Sequence, residues 1–293
     1  MPAATFTAPD GTELSYHLLG EGEPLLCLPG GPMRASAYLG DLGGLSAHRQ
    51  LVLLDLRGTG DSAVPADPAG YRCDRQADDV EALRRHLGLA RADLLAHSAA
   101  GDLALGYAAR YPERIRALAL SNARGRALGV DFTTEHRLEA AALRKAEPWY
   151  GSARGAFEAV WAGTATDEQW DAAMPFFYGR WDAAAQAHAA AEVAQTNDEA
   201  AEHYAPAGAF EPAATRAALA ALRAPVLFLA GELDGGPLPR IAATIAGLLP
   251  TAELTVQPGA GHYPWLDDPA FFVRTVEAFL ARANVVDHVR RPA

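Results

Sequence analysis

Three short turns in this 293-residue chain carry residue types that can do acyl-transfer chemistry once they are brought together. The first is Ala96-His97-Ser98-Ala99-Ala100, where a serine follows an apolar run and a helix-permissive stretch begins at once. A serine hydroxyl is a weak nucleophile at its own pKa, so an enzyme that uses one needs a sharp turn to expose it and a base to take its proton. The segment has the form of the G-x-S-x-G elbow with alanine in both glycine positions and Gly101 one place later. Taken alone, Ser98 also fits a helix N-cap, whose side-chain oxygen accepts a backbone N–H. The second turn, Gly231-Glu232-Leu233-Asp234, offers a carboxylate. The third, Gly259-Ala260-Gly261-His262-Tyr263-Pro264, offers an imidazole in a glycine-rich loop. Each follows a strand-like run, and the order Ser, Asp, His suits a nucleophile, an orienting acid and a general base set on the strand ends of one sheet. Upstream, Pro29-Gly30-Gly31-Pro32 is a loop whose N–H groups can face a developing oxyanion, because glycine lets the backbone approach closely.

To unite residues 98, 234 and 262 the chain must build a sheet whose strand ends share an edge, and the apolar pattern predicts one. TFTA and ELSYHLL flank the turn signal PDG, an antiparallel hairpin. Residues 25–28, 51–54, 93–96 and 115–120 are short apolar runs of the kind buried in parallel strands, with helix-permissive segments such as DRQADDVEALRRHLG and AGDLALGYAARYPE between them. The alternation resumes at residues 225–231, then a helix after Pro239, the run AELTVQ and a last helix after Pro269. This predicts an α/β fold with a mostly parallel, doubly wound sheet. Residues 121–224 contain no convincing strand and are too long for a structureless loop, so they are expected to form a helical cap inserted in a core domain of residues 1–120 and 225–293. The tail ANVVDHVRRPA is expected to fray.

Composition narrows the partners. Half the residues are hydrophobic and the net charge is −11, which disfavours nucleic acid and anionic membrane surfaces and leaves a small-molecule or short-peptide substrate, with oligomeric state open. The N-terminal MPAATFTAPDG lacks the charged and apolar regions of a signal peptide and no apolar run has membrane-spanning length, so a cytoplasmic location is expected. Cys27 sits in the apolar run LLCLP and reads as a buried small thiol; neither it nor Cys73 is assigned a disulfide or catalytic role. Cys73, Asp74, Asp78 and Asp79 open a helix, where acids suit the dipole better than a metal site; no metal or cofactor is expected.

Over nearly its whole length the chain resembles the α/β-hydrolase family, and within it the prolyl aminopeptidase (proline iminopeptidase) branch. The loop after residues 25–28 is similar to that branch's HGGPG with Pro29 and Met33 at its ends; DLRGTGDS resembles its DxRGxGxS turn, AHSAAG its GxSxGG elbow, and GELD and GAGH its acid and histidine loops. The resemblance implies that Ser98 attacks a carbonyl, His262 shuttles the proton, Asp234 orients the imidazole, and the N–H groups of Gly31 and Ala99 form the oxyanion hole. It also implies that His97 is structural. Epoxide hydrolases and dehalogenases of this fold carry aspartate at the elbow, so Ser98 disfavours both.

Substrate choice rests on the cap. Between Glu147 and Glu211 there are eleven Asp/Glu against Arg154 and Arg180, with Trp149, Trp161, Trp170, Trp181, Phe176, Phe177, Tyr178 and Tyr204 interspersed. The bland reading makes the aromatics a small core and the acids a solvated face. The sharper one has Glu192, Glu199 and Glu202, on one face if their helix is continuous, hold a substrate ammonium, with Trp181 and Tyr204 against the substrate. That favours release of an N-terminal proline or small residue; a carboxylesterase or lactonase, and a non-catalytic receptor, are the alternatives.

Overall fold

The structure is a computed structural model describing residues 3–290, with side chains through Ala283. Eight strands form one sheet: β1 (Ala4–Thr7), β2 (Glu13–Leu19), β3 (Pro24–Leu28), β4 (Gln50–Leu54), β5 (Ala92–His97), β6 (Ile115–Ser121), β7 (Val226–Gly231) and β8 (Ala252–Gln257), in the order β1-β2-β4-β3-β5-β6-β7-β8. The β1–β2 hairpin joins antiparallel and β2 pairs antiparallel with β4; from β4 to β8 every pairing is parallel. The chain order reverses around β3, so β3 and β5 lie side by side and the loops after them meet.

The unbroken apolar runs follow from burial on both faces. Leu26 and Leu28 of β3, Val52 and Leu54 of β4, and Val226 and Phe228 of β7 enter one core, while Leu25, Cys27, Leu51, Leu53, Leu227 and Leu229 enter the other. Period-two alternation thus divides β3, β4 and β7 between two cores instead of between core and water. Helices α1 (Cys73–His86) and α2 (Ala100–Arg110) cover the first face.

Between β6 and β7 the described chain makes helices and no strand of the sheet: α3 (Thr134–Ala142), α4 (Tyr150–Ala162), α5 (Asp167–Ala173), α6 (Ala183–Ala190), α7 (Glu192–Gln195), α8 (Asp198–Tyr204) and α9 (Pro212–Leu219). Ala141, Phe157, Val160, Ala173 and Phe176 form a small core of their own. Ala200, Tyr204 and Leu219 instead join the first sheet core, so the last third of this span packs as part of the sheet's cover. After β7 come α10 (Pro239–Ala246), α11 (Pro264–Asp267) and α12 (Pro269–Arg290). Ile241 and Ile245 of α10 fill the first core, and Phe272, Val276 and Phe279 of α12 the second. Of the tail expected to fray, residues 284–290 continue α12 and residues 291–293 lie outside the described residues. Among the described residues no helix is long and apolar enough to cross a membrane.

One local expectation changes. Asp78 and Asp79 lie beyond the first turn of α1 and serve guanidinium groups instead of the helix dipole: Asp79 takes a two-pronged bond from Arg57 at 2.6 and 2.7 Å, and Asp78 accepts from Arg110 and Tyr111. Only Asp74 is in the first turn, where it pairs with Arg72. Cys27 and Cys73 are both free, buried thiols, and burial pushes both up from the usual thiol range.

Candidate active site

Ser98 ends the run of β5 with φ +54°, a left-handed conformation that costs a non-glycine residue about 1–3 kcal/mol and turns the hydroxyl out of the strand. The turn is held by Ser98 N–H donating to the Ser121 carbonyl at 3.1 Å and by the Gly101 and Arg124 N–H groups donating to the Ser98 carbonyl at 3.0 and 2.9 Å. Ala96 and Ala100, in the elbow's glycine positions, are fully buried and neither has a positive φ. The position that needs glycine is Gly101, where a Cβ would lie 2.6 Å from both Ala123 Cβ and the Arg124 carbonyl oxygen.

His262 Nε2 stands 2.8 Å from Ser98 Oγ, and His262 Nδ1 is 3.0 Å from each oxygen of Asp234. With Nδ1–H donating to the carboxylate, Nε2 is left as acceptor for the serine O–H. Asp234 is fully buried, and two further donors hold it: the Gly236 N–H on Oδ1 at 2.7 Å and the Asn122 side-chain amide on Oδ2 at 2.7 Å. Asn122 also donates to the Gly261 carbonyl, fixing the acid loop to the histidine loop. Asn122 is not among the residues expected from the sequence. Its one signal is its place directly after β6, at the strand end between the elbow and the acid, in a left-handed conformation (φ +49°) that asparagine tolerates.

The loop after β3 reaches the elbow. A Cβ on Gly30 would sit 2.8 Å from Ser98 Cβ and 2.6 Å from the His97 carbonyl oxygen, so only glycine fits. The Gly30 N–H donates to Tyr38 Oη at 2.7 Å, whereas the N–H groups of Gly31 and Ala99 have no acceptor among the described residues. His97 joins two loops. Its Nε2 donates to the His262 carbonyl at 2.8 Å, which leaves Nδ1 to accept from Tyr38 O–H at 2.7 Å. Burial and the nearby His262 push its pKa well down, keeping it neutral, as this relay requires.

The DLRGTGDS turn is a brace. Asp55 accepts from the Ser36 and Asp61 N–H groups at 2.8 and 3.0 Å and meets His17 Nε2 at 3.0 Å. Among the described residues His17, Asp55 and Asp61 form the one trio with possible metal-ligand atoms mutually close; none of its bonds reaches the Ser98–His262–Asp234 set.

The helical segment between β6 and β7 meets the site through backbone and aromatic groups. The His262 N–H donates to the Phe177 carbonyl at 2.7 Å, and the Phe177 ring packs edge-on to His262 and to Trp161. Asp267 accepts from the Gly179, Arg180 and Gly261 N–H groups, tying the helical segment to the histidine loop; burial raises its pKa. The residues expected to bind substrate are scattered. Glu192 pairs at 3.3 Å with the buried Arg34, which also bonds Gln195, the His188 carbonyl and Tyr263. Glu199 and Glu202 are exposed on α8. The helix expected to align the three acids is broken at Thr196 and Asn197, because Thr196 bridges to Arg34 and the Asn197 side chain caps α8 through the Ala200 N–H. Trp181 packs on Tyr178, and Tyr204 is buried beneath the elbow with its hydroxyl on the Ala99 carbonyl at 3.2 Å. No hydrogen bond, ion pair or ring contact among the described residues links Glu192, Glu199, Glu202 or Trp181 to Ser98 or His262.

The family described as alpha/beta hydrolase fold matches residues 23–269. The proline iminopeptidase of Levilactobacillus brevis is 30% identical over 280 residues, covering 90% of each chain. A cis-3-alkyl-4-alkyloxetan-2-one decarboxylase of Shewanella oneidensis is 34% identical over 119 residues, and the match spans 37% of that protein's length. Among solved structures, the proline iminopeptidase of Mycobacterium smegmatis superposes with a TM-score of 0.73 at 24% identity, covering 97% of this chain and all of that one. An esterase of Thermogutta terrifontis superposes at 0.69 with 22% identity, covering 97% and 99%.

Proposed function

This chain belongs to the α/β-hydrolase family, and on that premise we propose that it is a serine hydrolase working through an acyl-enzyme, with Ser98 as nucleophile, His262 as general base and Asp234 as the orienting acid. The observation that carries the proposal is the unbroken line from Asp234 through His262 to a serine held in a left-handed turn. As Ser98 Oγ attacks a carbonyl carbon, Nε2 takes the hydroxyl proton and Asp234 stabilises the imidazolium. The N–H groups of Gly31 and Ala99 receive the oxyanion, each worth ~3–4 kcal/mol in the transition state. Nε2 then protonates the leaving amine or alkoxide, and water attacks the acyl-enzyme by the same route in reverse. On this reading residues 1–120 and 225–293 are the catalytic domain and residues 121–224 the cap. Labelling by a fluorophosphonate, abolished in Ser98→Ala, is the direct test; an unlabelled native enzyme rejects the assignment.

For the substrate we infer a proline iminopeptidase-like aminopeptidase releasing an N-terminal proline or small residue, supported by the relative aligned over 90% of both chains and by the GGP, DLRGTGDS and AHSAAG segments. A carboxylesterase or lactonase is the second reading. It is favoured by one observation: Glu192 is engaged by Arg34 and Glu199 and Glu202 face solvent, while aromatic rings stand beside His262. Comparing kcat/KM for proline naphthylamide and for short-chain nitrophenyl esters decides between them. A short-peptide or small-molecule substrate and a cytoplasmic setting fit either reading.

A further inference from the structure

Buried guanidinium groups are expensive unless paired. Six arginines are buried among the described residues, and five have a carboxylate partner: Arg34 with Glu192, Arg49 with Asp93 and Glu277, Arg57 with Asp79, Arg84 with Glu81, and Arg144 with Glu147. The sixth is Arg137 of α3, which is 8% exposed. Among the described residues its side chain makes no ion pair and no hydrogen bond; it stacks with its guanidinium carbon 3.2 Å from the Trp161 ring centre and 4.5 Å from that of Phe132. Arg124 stands on the same Phe132 ring at 5.0 Å, and its side chain likewise has no acceptor among the described residues. The Trp161 indole N–H beside them is buried without an acceptor too. Three donors of one polarity therefore share one aromatic box in which no described residue accepts from them.

The box adjoins the catalytic residues. Arg124 begins against the elbow, its N–H on the Ser98 carbonyl at 2.9 Å. Trp161 packs on Phe177, whose ring meets His262. Arg137 is close enough to Asp234 to feel its charge through space; burial, with Arg124 next, pushes its pKa down to about 9, so it stays cationic at neutral pH. The exposed Asp131 acts on both arginines through space and forms no ion pair with either.

We propose that Arg137, seconded by Arg124, is the subsite for a carboxylate carried by the substrate, so that this enzyme prefers acyl substrates bearing a free carboxylate. A guanidinium stacked on an indole keeps its N–H edge in the ring-parallel plane, where a planar carboxylate can be gripped by two parallel bonds. The proposal rests on the Ser98 hydrolase reading and holds for ester or amide chemistry.

The test uses two matched ester pairs: the mono-4-nitrophenyl ester of glutaric acid against 4-nitrophenyl valerate, and 4-carboxyphenyl butyrate against phenyl butyrate. The native enzyme should favour the carboxylate member of at least one pair by about tenfold or more in kcat/KM, the scale of a single charge contact. In Arg137→Met that ratio should collapse towards one, and Arg137→Lys should recover part of it. A native ratio of one or below in both pairs, or a ratio unchanged in Arg137→Met, overturns the proposal. Because turnover fails for other reasons if the hydrolase reading is wrong, glutarate binding is measured as well, by tryptophan fluorescence on the native protein. A saturable change that is lost in Arg137→Met supports the subsite, and no change in the native protein overturns it, whether or not a fluorophosphonate labels Ser98.

Discussion

His262 Nε2 and Ser98 Oγ share one 2.8 Å hydrogen bond, so on the proposed roles truncating either residue removes the same event. Ser98→Ala is expected to abolish turnover and leave circular dichroism unchanged; substantial residual hydrolysis by a folded variant would sink the nucleophile. Asp234→Asn should lower kcat by about four orders of magnitude, because the amide favours the wrong imidazole tautomer. Asn122 acts one step further out. Removing its amide leaves Asp234 Oδ2 with His262 as its only donor among the described residues and frees the Gly261 carbonyl, so Asn122→Ala should cut kcat roughly tenfold with KM little changed and cost about 1–3 kcal/mol of stability. A variant with a normal kcat would show that the Gly236 N–H and the loop alone hold the acid.

At the scale of elements, α2 offers an internal comparison between two glycines. Gly101 faces Ala123 and Arg124 at distances that leave no room for a methyl group, while a Cβ added to Gly106 on the same helix would meet nothing within 4 Å. Gly101→Ala should therefore destabilise by about 1–3 kcal/mol through overpacking and disturb the elbow. Gly106→Ala should stabilise by roughly 0.5–1 kcal/mol, since it only removes backbone freedom from the unfolded chain. Urea unfolding of the two variants checks this, and equal midpoints would contradict it. The attachment of the helical segment between β6 and β7 is likewise local: Asp267→Ala leaves the Gly179, Arg180 and Gly261 N–H groups without their acceptor. It should lower stability by about 2 kcal/mol or more and weaken kcat by letting the histidine loop drift. An unaltered unfolding midpoint would mean that water replaces those bonds freely.

For the whole molecule, acid sensitivity follows from two buried histidines. Burial lowers His188 from 6.5 to about 4 and His97 well below 6.5. Both rings are neutral in the fold: His188 donates to the Tyr38 carbonyl and accepts from Tyr178 O–H, so a second proton would cost it that acceptor role. As pH falls below about 6.5 the unfolded chain takes up protons that the folded chain refuses, so stability declines from there down to about pH 4. The loss should reach roughly 2 kcal/mol for His188 by pH 5, with His97 acting in the same direction. Urea midpoints measured at pH 7.5 and pH 5 should differ accordingly, and His188→Gln should reduce the difference; identical midpoints would remove the histidines from the account.

The sheet was legible because burial on both faces writes a strand as an uninterrupted apolar run, as at residues 51–54 and 226–229, and because glycine-rich turns mark strand ends. The same local signals picked out Ser98, Asp234 and His262, which the fold brings together from points 28 to 164 residues apart in the sequence. What the sequence could not decide was which charges meet. Arg34 pairs with Glu192 across a separation of 158 residues, a bridge to Thr196 breaks the helix that would have aligned Glu192 with Glu199 and Glu202, and Asn122 and Arg137 acquire meaning only from what they face. Apolar periodicity is a property of neighbouring residues, so one chain displays it; the pairing or isolation of a buried charge depends on groups far apart in the chain, so only the tertiary structure sets it.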